Sequence, residues 1–470
     1  MVVGELVYDT DVVVLGGGPG GYTAAIHAAD LGFEVILVES RPNLGGVCLT
    51  EGCIPSKTLI HAVGLADALK HADVLGLIYT GFEFDIQRLR NWISSVVNSL
   101  STGILKLLEN RDIEIVQGHG RFTEDHKIYI EGANTNIRFK HAIIATGSRI
   151  NEFPTGIDLP LWSSAEALSL PQIPKSLLVI GGGYIGLEIG QAYAGLGSLV
   201  SMVEFNENLL EGADRDLVNV VIQTCQKQFS AIHTQSKVLH IDKTENGYLV
   251  VFEKNGVEHK ETYDQVLVAT GRRPNTDDLG LNHIGIKIDD KGLIPTDDQC
   301  RTSIHHIFAV GDVTRGFALA HKASREGKVA AEVIAGMPSA FDNVAVPAVL
   351  FTRPEIAWTG LTEKEARDRD IPFKVGKFPL TALGRAKSTG KTRGFVKVIA
   401  HRETSLILGV GIVGEKASEL ISEGTLAIEM GACLEDLIVS IHPHPTFSES
   451  IMEAAEMAAQ GSVHLFKGKK

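Results

Sequence analysis

The sequence predicts an α/β protein with two successive units built on parallel sheets and a smaller α+β domain behind them. Three observations carry this prediction. The chain repeats itself once, both copies alternate β-branched runs with small-residue helices, and the last part alternates strand-like and helical pieces without the repeat. At 470 residues the chain is too long for one core, and domains of about 100–200 residues make three a natural number.

Residues 12–39 read VVVLGGGPGGYTAAIHAADLGFEVILVE and residues 177–204 read LLVIGGGYIGLEIGQAYAGLGSLVSMVE. Each copy has an apolar strand, a Gly-x-Gly-x-x-Gly turn, a helix stopped by Leu-Gly, a second strand and a glutamate. The turn glycines are Gly16, Gly18 and Gly21 in the first copy, with Pro19 between, and Gly181, Gly183 and Gly186 in the second. The first glycine of such a turn permits the tight bend. The second lets the backbone approach a pyrophosphate, and the third lets helix pack on strand. The helix N-terminus then offers free N–H groups and a favourable dipole to the anion. Glu39 and Glu204 end their strands where a ribose 2′-hydroxyl can be bound and a 2′-phosphate repelled. No arginine follows in Phe205, Asn206 and Glu207, so the second site is expected to prefer NAD to NADP. One such fingerprint is weak; two with complete strand-turn-helix-strand context predict two Rossmann-like dinucleotide-binding domains.

The repeat extends to its exits. AIIATGS at 142–148 and VLVATGR at 266–272 are expected to be buried strands ending in Thr-Gly. Prolines at 154, 160, 171 and 174 mark a linker, and Pro274 the end of the second unit. The expected organisation is a first dinucleotide domain over 1–150, a second over 151–274, a segment 275–345 completing the first, and an α+β domain over 346–470. Within 275–345 lie FAVGDV, carrying Asp312, and a helix-like run over 321–334.

Hydrophobic residues at 44% and charged residues at 21% suit a globular chain and exclude wholesale disorder. A net charge of −13 argues against nucleic acid as partner, and Lys467, Lys469 and Lys470 are expected to form a solvated tail. Apolar stretches at 12–26 and 177–187 are broken by glycine, so no membrane span is expected. No Lys or Arg precedes the first apolar run, unlike a targeting leader, so cytoplasm is the expected compartment. Cys225, Cys300 and Cys433 are expected to be buried, inert thiols.

Cys48 and Cys53 lie in GGVCLTEGCIPSK. At i and i+5 they face different sides of a regular helix, too far apart for a bond that needs Cα atoms within about 7 Å. The segment must be distorted for the two to meet, with Gly52 supplying the distortion and Pro55 near the start of a helix over 56–69. Zinc fails on ligand count. Two inert thiols are possible, but Lys57 and a helix N-terminus both favour a thiolate, which points to a redox-active dithiol.

IHPHPTFSESIMEAAEMAAQG at 441–461 sets His444 before Pro445, at the entrance of a helix expected to have Pro445 in its first turn. Glu449 is close enough to orient the imidazole for acid–base work. A capping or surface histidine fits the same residues, and spacing does not choose between His442 and His444.

Taken together, GGGPGG with Glu39, GGVCLTEGCIPSK, ATGS, GGGYIGLE with Glu204, ATGRRPN, AVGDV, LAHKA and HPHPT with Glu449 resemble the pyridine nucleotide-disulfide oxidoreductase family over nearly the whole chain. The resemblance lies with the branch that oxidises protein-bound dihydrolipoyl groups in 2-oxoacid dehydrogenase complexes. It implies a glutathione reductase-like fold whose α+β domain, over 346–470, is a dimerisation domain. FAD is then expected on Gly16, Gly18, Pro19, Gly21, Glu39, Lys57, Gly120, Thr146, Gly147, Asp312 and Ala320. NAD is expected on Gly181, Gly183, Tyr184, Ile185, Gly186, Glu204, Val238 and Gly271. No metal is implied. The resemblance makes Cys53 the thiol beside the flavin, Cys48 the interchange thiol, and Glu188 the ion-pair partner of Lys57. It selects His444, paired with Glu449 and delivered by the other subunit of a homodimer. A lipoyl-bearing acyltransferase or carrier protein is the implied partner, the parent complex being left open. Thr50, where the family commonly has Asn, and Leu383, where it often has a polar residue, depart from the pattern. Glutathione-type reductases use NADPH and read Pro-Lys-Lys where this chain has Pro55, Ser56 and Lys57. Mercuric reductases end in a cysteine pair, and this chain ends HLFKGKK. A non-catalytic scaffold has no use for the retained Cys48, Cys53, His444 and Glu449.

Overall fold

The computed structural model describes residues 7–70, 72–151, 153 and 159–465. The lysine tail at 467–470 and linker residue Pro154 lie outside the described residues. The first sheet grows from the strand Val7–Leu15, whose Val12, Val13 and Val14 are fully buried. It pairs in parallel with Val35–Glu39 on one side and Thr135–Ile144 on the other. The full order is Glu114–Gln117, Val35–Glu39, Val7–Leu15, Thr135–Ile144, Lys127–Glu131, His119–Glu124. Strand Ile307–Ala309 pairs in parallel with Thr135–Ile144, so the chain returns to this sheet after the second unit. The helix that follows, Ala320–Ile334, crosses the fingerprint helix Pro19–Asp30 at Gly327, where a Cβ would come within 2.5 Å of the Gly20 carbonyl.

The second unit repeats the plan with four parallel strands ordered Ala231–His233, Leu199–Val203, Ser176–Ile180, Gln265–Val268. An antiparallel meander over Ser236–Thr244, Gly247–Lys254 and Val257–Tyr263 precedes its last strand. In the first unit the meander's last strand runs straight into the parallel sheet. In the second the two are split at Asp264, whose carboxylate accepts the Ser176 N–H at 2.8 Å. The exits of both units then pair with each other, Ser148–Ile150 antiparallel to Arg272–Pro274.

The third domain is a five-stranded antiparallel sheet with helices Ala417–Glu429 and Glu449–Ala459 packed on it. Along the strand Phe395–His401, Val396, Val398 and Ala400 face the helices, as the two-residue period requires. Lys397 points the other way, fully buried, with its Nζ 2.6 Å from Asp214, 2.8 Å from Asp216 and 3.1 Å from Glu363. This cluster ties the second unit to the third domain, and losing one partner of such a buried set costs about 3–5 kcal/mol. Among the described residues no helix is long and apolar enough to cross a membrane.

Three local expectations change. The cysteine helix starts at Cys53, three residues earlier than the sequence suggests, and runs to Lys70. The last helix starts at Glu449, so Pro445 lies in the turn before it. There Glu449 accepts the Thr446 N–H at 2.8 Å, which closes the turn outside the helix. Cys225 and Cys300 are buried, but Cys433 is half-buried. It caps the helix Leu434–Val439, with its N–H donated to Asp436 at 2.7 Å.

Candidate active site

In both fingerprints the first and third glycines are required by space. Gly16 has φ +102° and Gly181 φ +109°, and a Cβ on either would lie 2.4 Å from a carbonyl, of Ala145 or Ala269. A Cβ on Gly21 would lie 1.7 Å from the Gly16 carbonyl, and one on Gly186 2.1 Å from that of Gly181. The glutamates correspond as closely. Glu39 accepts the Gly17 N–H at 2.7 Å and the Arg41 N–H at 2.9 Å; Glu204 accepts the Gly182 N–H at 2.6 Å and the Asn206 N–H at 2.7 Å. Each carboxylate thus fixes the loop as well as standing at the strand end. The helices that follow, Pro19–Asp30 and Tyr184–Leu196, begin at Gly18 and Gly183 without a side-chain cap, which leaves N–H groups free for an anion.

A cavity of about 740 Å³ opens along the first fingerprint, toward the upper end of the ~300–1,000 Å³ usual for ligand sites. Gly16, Gly18, Pro19 and Glu39 line it, as do Gly120, Thr146, Gly147, Asp312 and Ala320. Cys48, Cys53 and Lys57 share the same wall with Tyr184, Ile185 and Glu188 of the second fingerprint helix. Backbone donors at a helix N-terminus, glycines whose Cβ would fill the bend, and a strand-end carboxylate together fit a dinucleotide. Gly21 sits behind this wall as the contact between helix and loop. Gly181, Gly183, Gly186, Glu204, Val238 and Gly271 lie outside it, on the second unit.

The cysteine segment rests on the first fingerprint: Gly45 donates its N–H to the Gly17 carbonyl at 2.9 Å, and a Cβ on Gly46 would come within 2.7 Å of Gly18 Cα. A short helix Gly46–Thr50 breaks at Glu51, and the next starts at Cys53. That break brings the two thiols together. Cys48 donates to Cys53, and this hydrogen bond, helped by the Lys57 charge against the effect of burial, lowers the Cys53 pKa to about 7. The same bond and burial push the Cys48 thiol up. Of the pair, Cys53 is thus the thiol that ionises first, and Cys48 the one that keeps its proton.

Lys57, one turn beyond Cys53, is 2.8 Å from Glu188 and lies over the Phe351 ring at 4.7 Å. Glu188, 4% exposed, spends its other oxygen on the Phe351 N–H at 2.9 Å. Asp312 accepts from the Ser148 hydroxyl at 2.5 Å, and Ser148 accepts from Arg272 Nε at 2.8 Å. Thr50 turns its hydroxyl back to the Gly46 carbonyl at 3.0 Å, and Leu383 is buried in the third domain's core, so neither departure removes a polar group from the cavity wall.

The two candidate histidines separate clearly. His442 uses one ring nitrogen on Glu423 and the other on the Ser440 carbonyl, both at 2.8 Å, and its side chain is 7% exposed. His444 uses only Nδ1, on Glu449 at 2.8 Å, and its side chain is 76% exposed. His444 and Glu449 are not part of this chain's cavity wall.

Sequence reasoning passed over Ser148 as a site residue, although it and Arg272 occupy the same place after Thr-Gly in the two repeats. The Phe351 contact is made by backbone and left no mark in the sequence.

This architecture defines a two-dinucleotide disulfide oxidoreductase, and comparison with known proteins agrees. Residues 10–327 match the pyridine nucleotide-disulphide oxidoreductase model and residues 346–455 its dimerisation domain; the chain belongs to this family. It is 45% identical to the dihydrolipoyl dehydrogenase of Geobacillus stearothermophilus over 99% of both chains. To that of Bacillus subtilis it is 43% identical over 99% of this chain and 100% of the relative. Among solved structures, LpdA from Mycobacterium tuberculosis superposes with a TM-score of 0.88 at 27% identity, covering 95% of this chain and 99% of that one. The HOCl-induced flavoprotein disulfide reductase RclA from Escherichia coli superposes with 0.85 at 27%, with the same coverage.

Proposed function

We propose that this chain is a flavin- and NAD-dependent dihydrolipoyl dehydrogenase, oxidising the dihydrolipoyl group of an acyltransferase or carrier protein to its disulfide within a 2-oxoacid dehydrogenase or related complex. One observation carries the reading: the paired thiols Cys48 and Cys53, with Lys57 beside them, open into a cavity built for a dinucleotide. Full-length relatives bearing that activity in their names support it. FAD would lie on Gly16, Gly18, Pro19, Glu39, Gly120, Thr146, Gly147, Asp312 and Ala320, with Lys57 at its ring, and NAD on the second fingerprint with Glu204, Tyr184, Val238 and Gly271. Bound together they would supply a two-electron path from the reduced dithiol, with NAD as the hydride acceptor.

The chain's own groups do the thiol chemistry. His444 of a second copy, oriented by Glu449, takes a proton from one substrate thiol at Nε2. The resulting thiolate attacks Cys48 Sγ; the Cys48–Cys53 bond breaks and Cys53 leaves as thiolate. The second substrate thiol attacks the mixed disulfide, closes the substrate ring and releases Cys48, which takes that thiol's proton. The end state is thiol at Cys48 and thiolate at Cys53. The dimerisation-domain match supports the homodimer that this scheme needs. We place the activity in the cytoplasm. An NADPH-dependent glutathione-type reductase is disfavoured by Glu204 and the lack of a following arginine.

The test is steady-state turnover of the purified protein with dihydrolipoamide, comparing NAD with NADP and following the visible spectrum during limited dithiol reduction. NAD-dependent turnover with a long-wavelength thiolate-to-flavin band is expected. Reduction by NADH without dihydrolipoamide turnover would assign the site to another disulfide.

A further inference from the structure

Asp312 is held by a relay that begins in the other unit. Ser148, 6% exposed, stands between the Asp312 carboxylate and the Arg272 guanidinium. A serine hydroxyl has one hydrogen and two acceptor positions. Arg272 Nε donates into the oxygen at 2.8 Å, while Nη2 clamps the Ser148 carbonyl at 2.6 Å. The single hydroxyl hydrogen is thereby committed to Asp312 Oδ2, 2.5 Å away. Ser148 and Arg272 occupy equivalent places in the repeat, and their strands pair antiparallel. The two units thus meet at the first cavity, whose wall Ser148 and Arg272 share with Asp312.

We infer that Ser148 and Arg272 are positioning residues for the flavin chain: Arg272, from the exit of the second unit, orients the Ser148 hydroxyl, which fixes Asp312 for its contact with the bound group. This deepens the proposed function and rests on its placing of FAD against Asp312. FAD retention by the first unit then depends on a side chain of the second.

The experiment uses the purified holoprotein and reads FAD release after dilution as recovery of free-flavin fluorescence. S148A should release FAD at least about tenfold more readily, the equivalent of one hydrogen bond to a charged group. S148T, which restores the hydroxyl, should return release towards wild type, a rescue that mere loss of local structure would not predict. R272Q should weaken retention in the wild-type background and add less than about twofold in the S148A background, because the path it acts through is gone. Unchanged release from S148A, no recovery in S148T, or an Arg272 effect that persists undiminished in S148A would overturn the relay. A wild-type protein that binds no FAD at all would instead sink the flavin reading, and the relay with it.

Discussion

In the first unit the glycine loop lies under other parts of the chain: the cysteine segment bonds to Gly17, Gly46 touches Gly18, and the helix Ala320–Ile334 presses on the fingerprint helix at Gly20. In the second unit the equivalent loop, with the same glycine geometry and the same glutamate bonds, takes the matching hydrogen bond from Leu210 to the Gly182 carbonyl at 3.0 Å, but a Cβ on Gly183 would meet nothing within 4 Å, and Phe205, next to Glu204, is 68% exposed. The loops themselves are interchangeable in design. What differs is the cover, which suits a retained group in the first unit and an exchanging one in the second. Whether a dinucleotide serves as prosthetic group or as substrate is thus decided outside the motif that binds it.

Matched glycine substitutions should break the comparison most sharply. Gly21→Ala, whose Cβ would stand 1.7 Å from a backbone oxygen, is expected to yield protein without bound flavin. Gly186→Ala should stay yellow and lose NAD turnover; visible absorbance and NADH oxidation distinguish them. Next, Cys48→Ser should reduce dithiol turnover to background with flavin retained and still reducible by NADH. His444→Gln should lower turnover by about 10²–10⁴-fold, the usual contribution of a positioned acid–base group. Normal turnover in either variant would remove that residue from the scheme.

A smaller effect sharpens the open unit. Glu204→Ala should raise the KM for NAD by about tenfold, as expected for losing a hydrogen bond to a charged group, and change NADP much less. An unchanged cofactor ratio would mean that the ribose is read elsewhere. The smallest effect is in pH. A thiol whose pKa is lowered is charged above that value and neutral below it. The long-wavelength band of the two-electron-reduced protein should therefore be full at alkaline pH and fade as pH falls through about 7. A band that grows on acidification would place the thiolate elsewhere.

What was legible in the sequence was local. The fingerprints, Glu39 and Glu204 lie within one strand-turn-helix-strand stretch, and the i, i+5 cysteine spacing already demanded the helix break seen at Glu51. Lys57 could be placed because it follows Cys53 by one turn of the same helix. Pro445 misled because proline is favoured in a first helical turn; Glu449 closes the preceding turn with its own carboxylate, so the helix waits for it. Cys433 was expected in a core and instead caps a helix, a role for which thiols are seldom chosen. The relay from Arg272 through Ser148 to Asp312 joins residues 124 and 164 positions apart, and no window of sequence contains it.

Glu188 takes one hydrogen bond from a residue 131 positions earlier and another from one 163 positions later. During synthesis the N-terminal parts emerge and fold first, so the nascent chain meets Lys57 and Glu188 long before Phe351 leaves the ribosome. Until then one oxygen of a carboxylate destined for the interior lacks its backbone donor, and contacts of such long range are among the slowest to form. The clamp beside the reactive sulfurs is therefore a late event in the life of each molecule. A half-made chain carries both cysteines without the finished setting that makes them useful.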